Sequence, residues 1–153
     1  MMQKTLILFK PDAVERGLWA RILDELIEAG FNVVGLKMVK PPRIWWEKHY
    51  LNLEDAAIKA RVIDFMMTTP VIACVVEGDE AVSNIRDRVG STFPDEARPG
   101  TLRRRYGHAS RGKMISNLVH ASATAEEAKS EIANWFRKEE MFSFRPVYTK
   151  FVY

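Results

Sequence analysis

The sequence has only one cysteine, Cys74, so an internal disulfide is impossible. No apolar run approaches the roughly 20 residues needed to span a bilayer, and no signal-peptide pattern is present. These absences favour the cytoplasm and predict no membrane partner. Cys74 itself lies in the apolar run PVIACVVEG, where we expect it to be a small core residue.

Two ligand-binding patterns are also missing. No glycine-rich phosphate loop follows the first apolar run, TLILF. No group of His, Cys, Asp and Glu has the spacing of metal ligands along the chain, which argues against a metal held by the protein alone.

The remaining composition is that of an ordinary globular protein. Hydrophobic residues make up 47% of the 153 residues and charged residues 28%. We expect one domain over 1–153, with 138–153 as an aromatic C-terminal tail. The net charge of +3 is too small to indicate nucleic-acid binding. A local anion site is nevertheless indicated, because basic residues crowd one segment: Arg98, Arg103, Arg104, Arg105, Arg111 and Lys113.

Apolar patterns and turn residues predict the order of the elements. They predict strands over 5–9, 31–39, 71–77 and 117–121, and helices over 12–29, 43–52, 54–67, 79–89 and 125–136. Gly17 is a potential break within the first of these helices. Asp12 is predicted to cap the first helix with Glu15, and Thr124 to cap the last with Glu127. The order favours a ferredoxin-like split βαβ fold, an α+β four-stranded antiparallel sheet with helices packed on it. A flavodoxin-like parallel sheet is the alternative, weakened by the missing phosphate loop.

His120 stands in the otherwise apolar stretch NLVHA. A neutral imidazole is a good nucleophile if a second group fixes its tautomer. Glu131 is the candidate orienting group, and Ser122 could hold that carboxylate. The residues alone support equally well a structural histidine that is satisfied by the backbone.

Other polar residues have a functional and a structural interpretation. Lys10 ends a strand beside a helix start, where it could contact phosphate or simply be solvated. Asn117 in an apparently buried strand must be paired, either structurally or with a sugar. The other candidates for anion contacts are Tyr50, Arg86, Thr92 and Arg103. Clustering favours anion binding over a solvated surface for Arg86, Thr92 and Arg103, whereas Tyr50 taken alone favours a place in the core.

Taken together, these segments resemble the nucleoside diphosphate kinase family. The resemblance rests on TLILFKPDAVERGL, HY at 49–50, TTPVIACVVEG, IRDRVGSTFPDEARPGTLR, NLVHAS and EIANWF. It covers nearly the whole chain except the last fifteen or so residues.

The resemblance implies a ping-pong phosphoryl transfer between nucleoside triphosphates and diphosphates. His120 matches the nucleophile that becomes phosphohistidine, Glu131 its orienting carboxylate, and Ser122 the support of that carboxylate. Residues that match the family's phosphate contacts are Lys10, Tyr50, Arg86, Thr92 and Arg103. Lys10 and Asn117 also match positions that meet the ribose 3′-hydroxyl. The family brings Mg²⁺ on the nucleotide phosphates and forms homo-oligomers, with hexamers favoured and tetramers or dimers known.

Two departures from the family pattern are visible. Ile58 lies where the family usually has a phenylalanine that stacks on the base. The basic stretch RRRYGHASRGKMIS is longer than the family's usual path to the catalytic strand. An alternative function is therefore an anion- or nucleic-acid-binding module that uses the basic loop 98–113.

Overall fold

The computed structural model describes residues 1–108 and 116–145. Its elements are β1 (Met2–Phe9), α1 (Pro11–Glu15), α2 (Leu18–Glu28), β2 (Asn32–Val39), α3 (Arg43–His49), α4 (Ala56–Met66), β3 (Val71–Asp79), α5 (Ala81–Val89), α6 (Leu102–Tyr106), β4 (Val119–Ala121) and α7 (Ala125–Trp135). A short 3₁₀ turn, Lys138–Glu140, follows α7. Arg111, Lys113 and the end of the tail lie outside the described residues. Within the described ranges, no helix combines the length and apolar character that a membrane span requires.

The four strands form one antiparallel sheet in the order β2-β3-β1-β4. This topology confirms the predicted ferredoxin-like fold and rules out the parallel alternative. β1 and β3 run side by side from the Met2–Asp79 pair to the Phe9–Ile72 pair, which makes them the buried centre of the sheet.

Alternate residues of β1 enter two separate apolar clusters. Ile7 and Phe9 pack with residues of α2 and α5, whereas Leu6 and Leu8 pack with residues of α3, α4 and α7. Because successive side chains of a strand point to opposite faces, helices cover both faces of the sheet. This explains why β1 reads as a continuous apolar run instead of an alternating one.

The predicted first helix is divided, and its predicted cap is wrong. Gly17 adopts a left-handed conformation (φ 66°) between α1 and α2, which ends one helix and begins the next. Lys10, not Asp12, occupies the N-cap position of α1, and no side chain caps it. Asp12 lies inside the first turn, and its carboxylate serves the segment before β4 instead.

The segment before the fourth strand also differs from the prediction. Residues 102–106 form α6, although they were expected to be loop, because five arginine-rich residues show no apolar period. β4 comprises only Val119–Ala121, since Leu118 has a positive φ of 69° and cannot continue the strand.

The last helix begins where its cap was predicted. The hydroxyl of Thr124 accepts a hydrogen bond from the backbone N–H of Glu127. The Glu127 carboxylate bonds the backbone N–H of Ala123, not that of Thr124, so the predicted capping box is only half formed. After α7 the chain returns along β2, where the backbone N–H of Phe142 donates to the carbonyl of Val34 at 2.7 Å.

Candidate active site

His120 is held on a strand at the edge of the sheet. It lies in β4 opposite Leu8 of β1, and its side chain is 21% exposed. The Nε2 atom lies 2.9 and 3.1 Å from the two carboxylate oxygens of Glu131 on α7. This contact leaves Nδ1 as the ring nitrogen that can react.

Glu131 is itself fixed by Ser122. The buried hydroxyl of Ser122 donates to Oε2 of Glu131 at 2.6 Å and accepts from the backbone N–H of Leu6. Burial opposes ionisation of Glu131, but the hydrogen bonds from His120 and Ser122 outweigh it and lower the pKa of the carboxyl. An ionised Glu131 can only accept, so His120 donates from Nε2, and the neutral ring then has its lone pair on Nδ1.

Lys10 and Asn117 meet beside this group. The ammonium group of Lys10 donates to Oδ1 of Asn117 at 2.7 Å, and the Asn117 amide donates to the backbone carbonyl of Thr92 at 3.1 Å. Burial, and next the positive charge of Arg103, lower the pKa of Lys10 to about 8. Thr92 itself is exposed.

Two guanidinium groups flank β4. Arg103 on α6 donates to the carbonyls of Gly90 (2.9 Å), Asn117 (3.1 Å) and Val119 (2.7 Å). Burial and the nearby charge of Arg86 lower the pKa of Arg103 to about 10. Arg86 on α5 lies 3.5 Å from the carbonyl of Ala121. The two arginines therefore concentrate positive charge along the strand that carries the histidine.

A strained turn precedes the strand. The backbone N–H of Val119 donates to the carbonyl of Asn117 at 2.8 Å, which together with the positive φ of Leu118 is typical of a γ-turn. Asp12 stabilises this turn, since its Oδ2 accepts from the backbone N–H of Leu118 (2.9 Å) and from the hydroxyl of Ser116 (2.7 Å). Sequence reasoning missed this role of Asp12 because the partners lie far apart in the chain.

His49 is the second residue that sequence reasoning missed. The centroids of the His49 and His120 rings are 4.6 Å apart, and Nδ1 of His49 accepts a hydrogen bond from the indole N–H of Trp135 at 3.2 Å. The neighbouring Tyr50 has a buried hydroxyl without a hydrogen-bond partner among the described residues. Ile58 lies on the first turn of α4, 42% exposed and free of the main core.

Three side chains in this group could in principle hold a metal ion. His49, His120 and Glu131 each offer a ligand atom within 4.8 Å of the others, the one such group in the described part of the chain. The sequence spacing does not reveal it because the three residues come from three separate elements.

Comparison with known families matches residues 3–141 to the family model "Nucleoside diphosphate kinase". A nucleoside diphosphate kinase of Trichodesmium erythraeum is 38% identical over 151 residues, which is 99% of both chains. Another, of Pyrococcus furiosus, is 38% identical over 94% of this chain and 88% of that protein.

Solved structures agree with the sequence comparisons. The nucleoside diphosphate kinase of Borrelia burgdorferi, a transition state mimic with bound vanadate and ADP, superimposes with a TM-score of 0.91. It is 33% identical, over 97% of this chain and 95% of that one. The Halobacterium salinarum enzyme in complex with CDP has a TM-score of 0.91 and 31% identity, over 100% and 99% of the two chains. The family model covers more than half of the chain, and the relatives exceed 30% identity over nearly all of it, so this chain belongs to the nucleoside diphosphate kinase family of phosphotransferases.

Proposed function

We propose that His120 carries the phosphoryl group between two nucleotides. Nδ1 attacks the γ-phosphorus of a nucleoside triphosphate, a P–N bond forms, and the bond to the bridging oxygen breaks to release the diphosphate. A terminal oxygen of a second nucleoside diphosphate then attacks the phosphohistidine and restores His120. The observation that carries this proposal is the bond between Nε2 of His120 and Glu131, which fixes the tautomer with a lone pair on Nδ1.

The neighbouring side chains supply the positive charge and the donors that phosphoryl transfer needs. Lys10, Arg86 and Arg103 neutralise the phosphates, and the hydroxyls of Thr92 and Tyr50 add donors. The structural bonds of Arg103 hold its charge in place, which supports positioning as well as attraction.

The nucleoside has its own contacts in this proposal. Lys10 and Asn117, whose Nζ and Oδ1 atoms are 2.7 Å apart, contact the ribose 3′-hydroxyl. Ile58 covers one face of the base, and its exposed position on α4 supports this role. An aliphatic side chain covers a base without aromatic stacking. We therefore expect the base to bind more weakly against Ile58 than against the phenylalanine usual in the family.

Mg²⁺ would enter this site bound to the nucleotide phosphates. The carboxylate next to His120, Glu131, is engaged by His120 and Ser122, and that of Asp12 is engaged by Leu118 and Ser116. The remaining charged groups of the proposed site, Lys10, Arg86 and Arg103, are cations. Mg²⁺ prefers a few carboxylates or substrate phosphates, and here the phosphates are the available ligands. When bound, it would share the neutralisation of the transferred charge with Lys10, Arg86 and Arg103.

Cytoplasmic location, a single domain over 1–153 and assembly into a homo-oligomer, with a hexamer favoured, complete the proposal. The alternative of a nucleic-acid-binding module has less support, because two of the arginines that suggested it are engaged within the protein. Arg104 donates to the carbonyl of Asp95, and Arg105 pairs with Glu25, whereas Arg111 and Lys113 lie outside the described residues.

The test is to incubate the protein with γ-labelled ATP and Mg²⁺. We expect an acid-labile, base-stable phosphoprotein that GDP discharges with formation of labelled GTP. His120→Ala is the control and should stay unlabelled. No label, or equal label on His120→Ala, would contradict the proposal. Strongly salt-dependent oligonucleotide binding that is lost on neutralising Arg103 to Arg105 would favour the alternative.

A further inference from the structure

A second imidazole lies beside His120 and has no part in the reaction described above. His49 is the last residue of α3, and its ring meets that of His120 edge to face, with centroids 4.6 Å apart and planes at 75°. Trp135 of α7 closes the other side of His49, with ring centroids 5.6 Å apart. His49 is thus fixed between the catalytic strand and the last helix.

Trp135 determines which nitrogen of His49 carries the hydrogen. Indole Nε1 can only donate, and it lies 3.2 Å from Nδ1 of His49, so Nδ1 accepts. Burial, and next the proximity of His120, lower the pKa of His49 to about 3. The ring is therefore neutral near physiological pH, and its single N–H is on Nε2.

This N–H is a buried donor that has no acceptor within 1–108 and 116–145. Among the described residues, no group bonds Nε2 of His49 or the hydroxyl of Tyr50, although both atoms are buried. The ring centroids of His49 and Tyr50 are 4.8 Å apart. Because an unpaired buried donor is costly, the Nε2–H of His49 beside the nucleophile indicates that its acceptor arrives with the substrate.

A metal ion is a poor explanation for this arrangement. His49, His120 and Glu131 have ligand atoms close enough for one ion. Nδ1 of His49, however, is engaged by the Trp135 indole, and Nε2 carries a hydrogen, so neither nitrogen offers a free lone pair. A donor of this kind fits an anionic oxygen.

We propose that His49 is a further catalytic residue, whose Nε2–H donates a hydrogen bond to a phosphoryl oxygen as that group moves onto and off His120. The inference rests on the phosphohistidine mechanism proposed above. The bonds made and broken at phosphorus are unchanged, and His49 keeps its hydrogen throughout. Its contribution is a donor that is already oriented before the charge moves.

Two amide substitutions separate this role from a structural one. The amide of His49→Gln reaches the place of Nε2 and can donate there, but it offers Trp135 no acceptor. The carbonyl of His49→Asn reaches the place of Nδ1 and can accept from Trp135, but no donor remains at Nε2. The measurement is the single-turnover rate of His120 phosphorylation by γ-labelled ATP with Mg²⁺, together with the nucleotide KM.

We expect His49→Asn to slow phosphorylation about tenfold or more with a KM that changes less than about twofold, as for loss of one oriented donor. We expect His49→Gln to recover most of the rate. Wild-type rates in His49→Asn, or a slower rate in His49→Gln than in His49→Asn, would overturn the inference and leave His49 a support for Trp135.

A third measurement uses the wild-type protein and so does not depend on whether a variant folds. Nitrogen-15 NMR of the wild-type imidazoles should show the hydrogen of His49 on Nε2, and the opposite tautomer would overturn the inference. Failure of wild-type protein to form any phosphohistidine would overturn the proposed function itself. Labelled wild type with an unaffected His49→Asn would overturn only the role of His49.

Discussion

The buried carboxylate of Asp12 binds residues that lie far from it in the sequence. It accepts from the backbone N–H of Leu118 and the hydroxyl of Ser116, and so holds the residues immediately before Asn117 and His120. We expect Asp12→Ala to lower the free energy of unfolding by about 1–3 kcal/mol, because the Leu118 N–H loses its buried acceptor. It should also lower kcat, since the strained turn can relax and shift Asn117.

The matched control is Asp12→Asn, whose amide oxygen can still accept both bonds. Denaturant unfolding and steady-state kinetics should therefore place Asp12→Asn much closer to wild type than Asp12→Ala. An Asp12→Ala protein with wild-type kcat would show that the turn does not position the site.

We expect Lys10 to make nucleotide binding depend on pH. Its pKa of about 8 lies well below the usual value of a lysine, so the free protein loses this charge as the pH rises through 8. Bound phosphates favour the ammonium form and raise that pKa, so binding takes up a proton above about pH 8 and affinity falls as the pH rises further. The terminal phosphate is already ionised there and does not contribute.

Calorimetric titration of ADP in buffers of different ionisation enthalpy measures this proton uptake directly. Lys10→Arg is the control, because a guanidinium stays protonated across this range. We expect uptake in wild type and none in the variant. Equal values for both proteins would refute the assignment to Lys10.

Substitutions of Ile58 test whether this side chain covers one face of the nucleotide base. We expect Ile58→Phe to lower the KM for ADP and GDP several-fold without changing kcat, because an aromatic ring can add up to about 1–3 kcal/mol of base stacking. Ile58→Leu, which adds no ring, should leave the KM unchanged. Unaltered Michaelis constants for purine nucleotides in Ile58→Phe would show that Ile58 does not face the base.

At the scale of elements, α6 positions an arginine of the site. Thr101 caps this short helix, accepting from the backbone N–H of Arg104 and donating to the carbonyl of Arg98. We expect Thr101→Ala to cost about 0.5–2 kcal/mol of stability, as for a lost helix cap. It should also raise the KM for nucleotides, because the helix carries Arg103. Thr101→Ser keeps the hydroxyl and should restore both values, and a Thr101→Ala protein with unchanged KM would contradict this link.

The elements also show which parts of the fold the sequence could predict. β1, β3 and α7 were predictable because their apolar patterns and caps are local. The strand pairing followed from their order. α6 and the start of β4 were not predictable, since five residues give too short a period and the positive φ of Leu118 depends on Asp12. His49 and Asp12 escaped for the same reason: their roles arise only when separate elements pack together.

At the scale of the whole molecule, we expect an exposed apolar patch on β2 to contact a second copy. Leu36 and Met38 on the outer strand β2 are 47% and 58% exposed. They pair in register with Cys74 and Ile72 of β3, whose side chains α2 and α5 help to bury, but the helices leave the two β2 residues uncovered. The chain after α7 bonds β2 at Val34, and the exposed apolar patch formed by Leu36 and Met38 lies farther along the same strand. An exposed apolar patch is a typical site of association.

We therefore expect wild-type protein to form a homo-oligomer and Met38→Glu to form a smaller species, because a buried charge would oppose the contact. Ile44→Glu is the control, since Ile44 is 69% exposed on α3 and lies on a different element. Light scattering coupled to size exclusion, at several concentrations, measures the mass of each. Equal masses for wild type and Met38→Glu would exclude this edge, and a monomeric wild type would exclude the assembly. A reduced mass only in Met38→Glu would assign the contact to β2, and the kinetics of that variant would then show whether one chain alone forms a complete site.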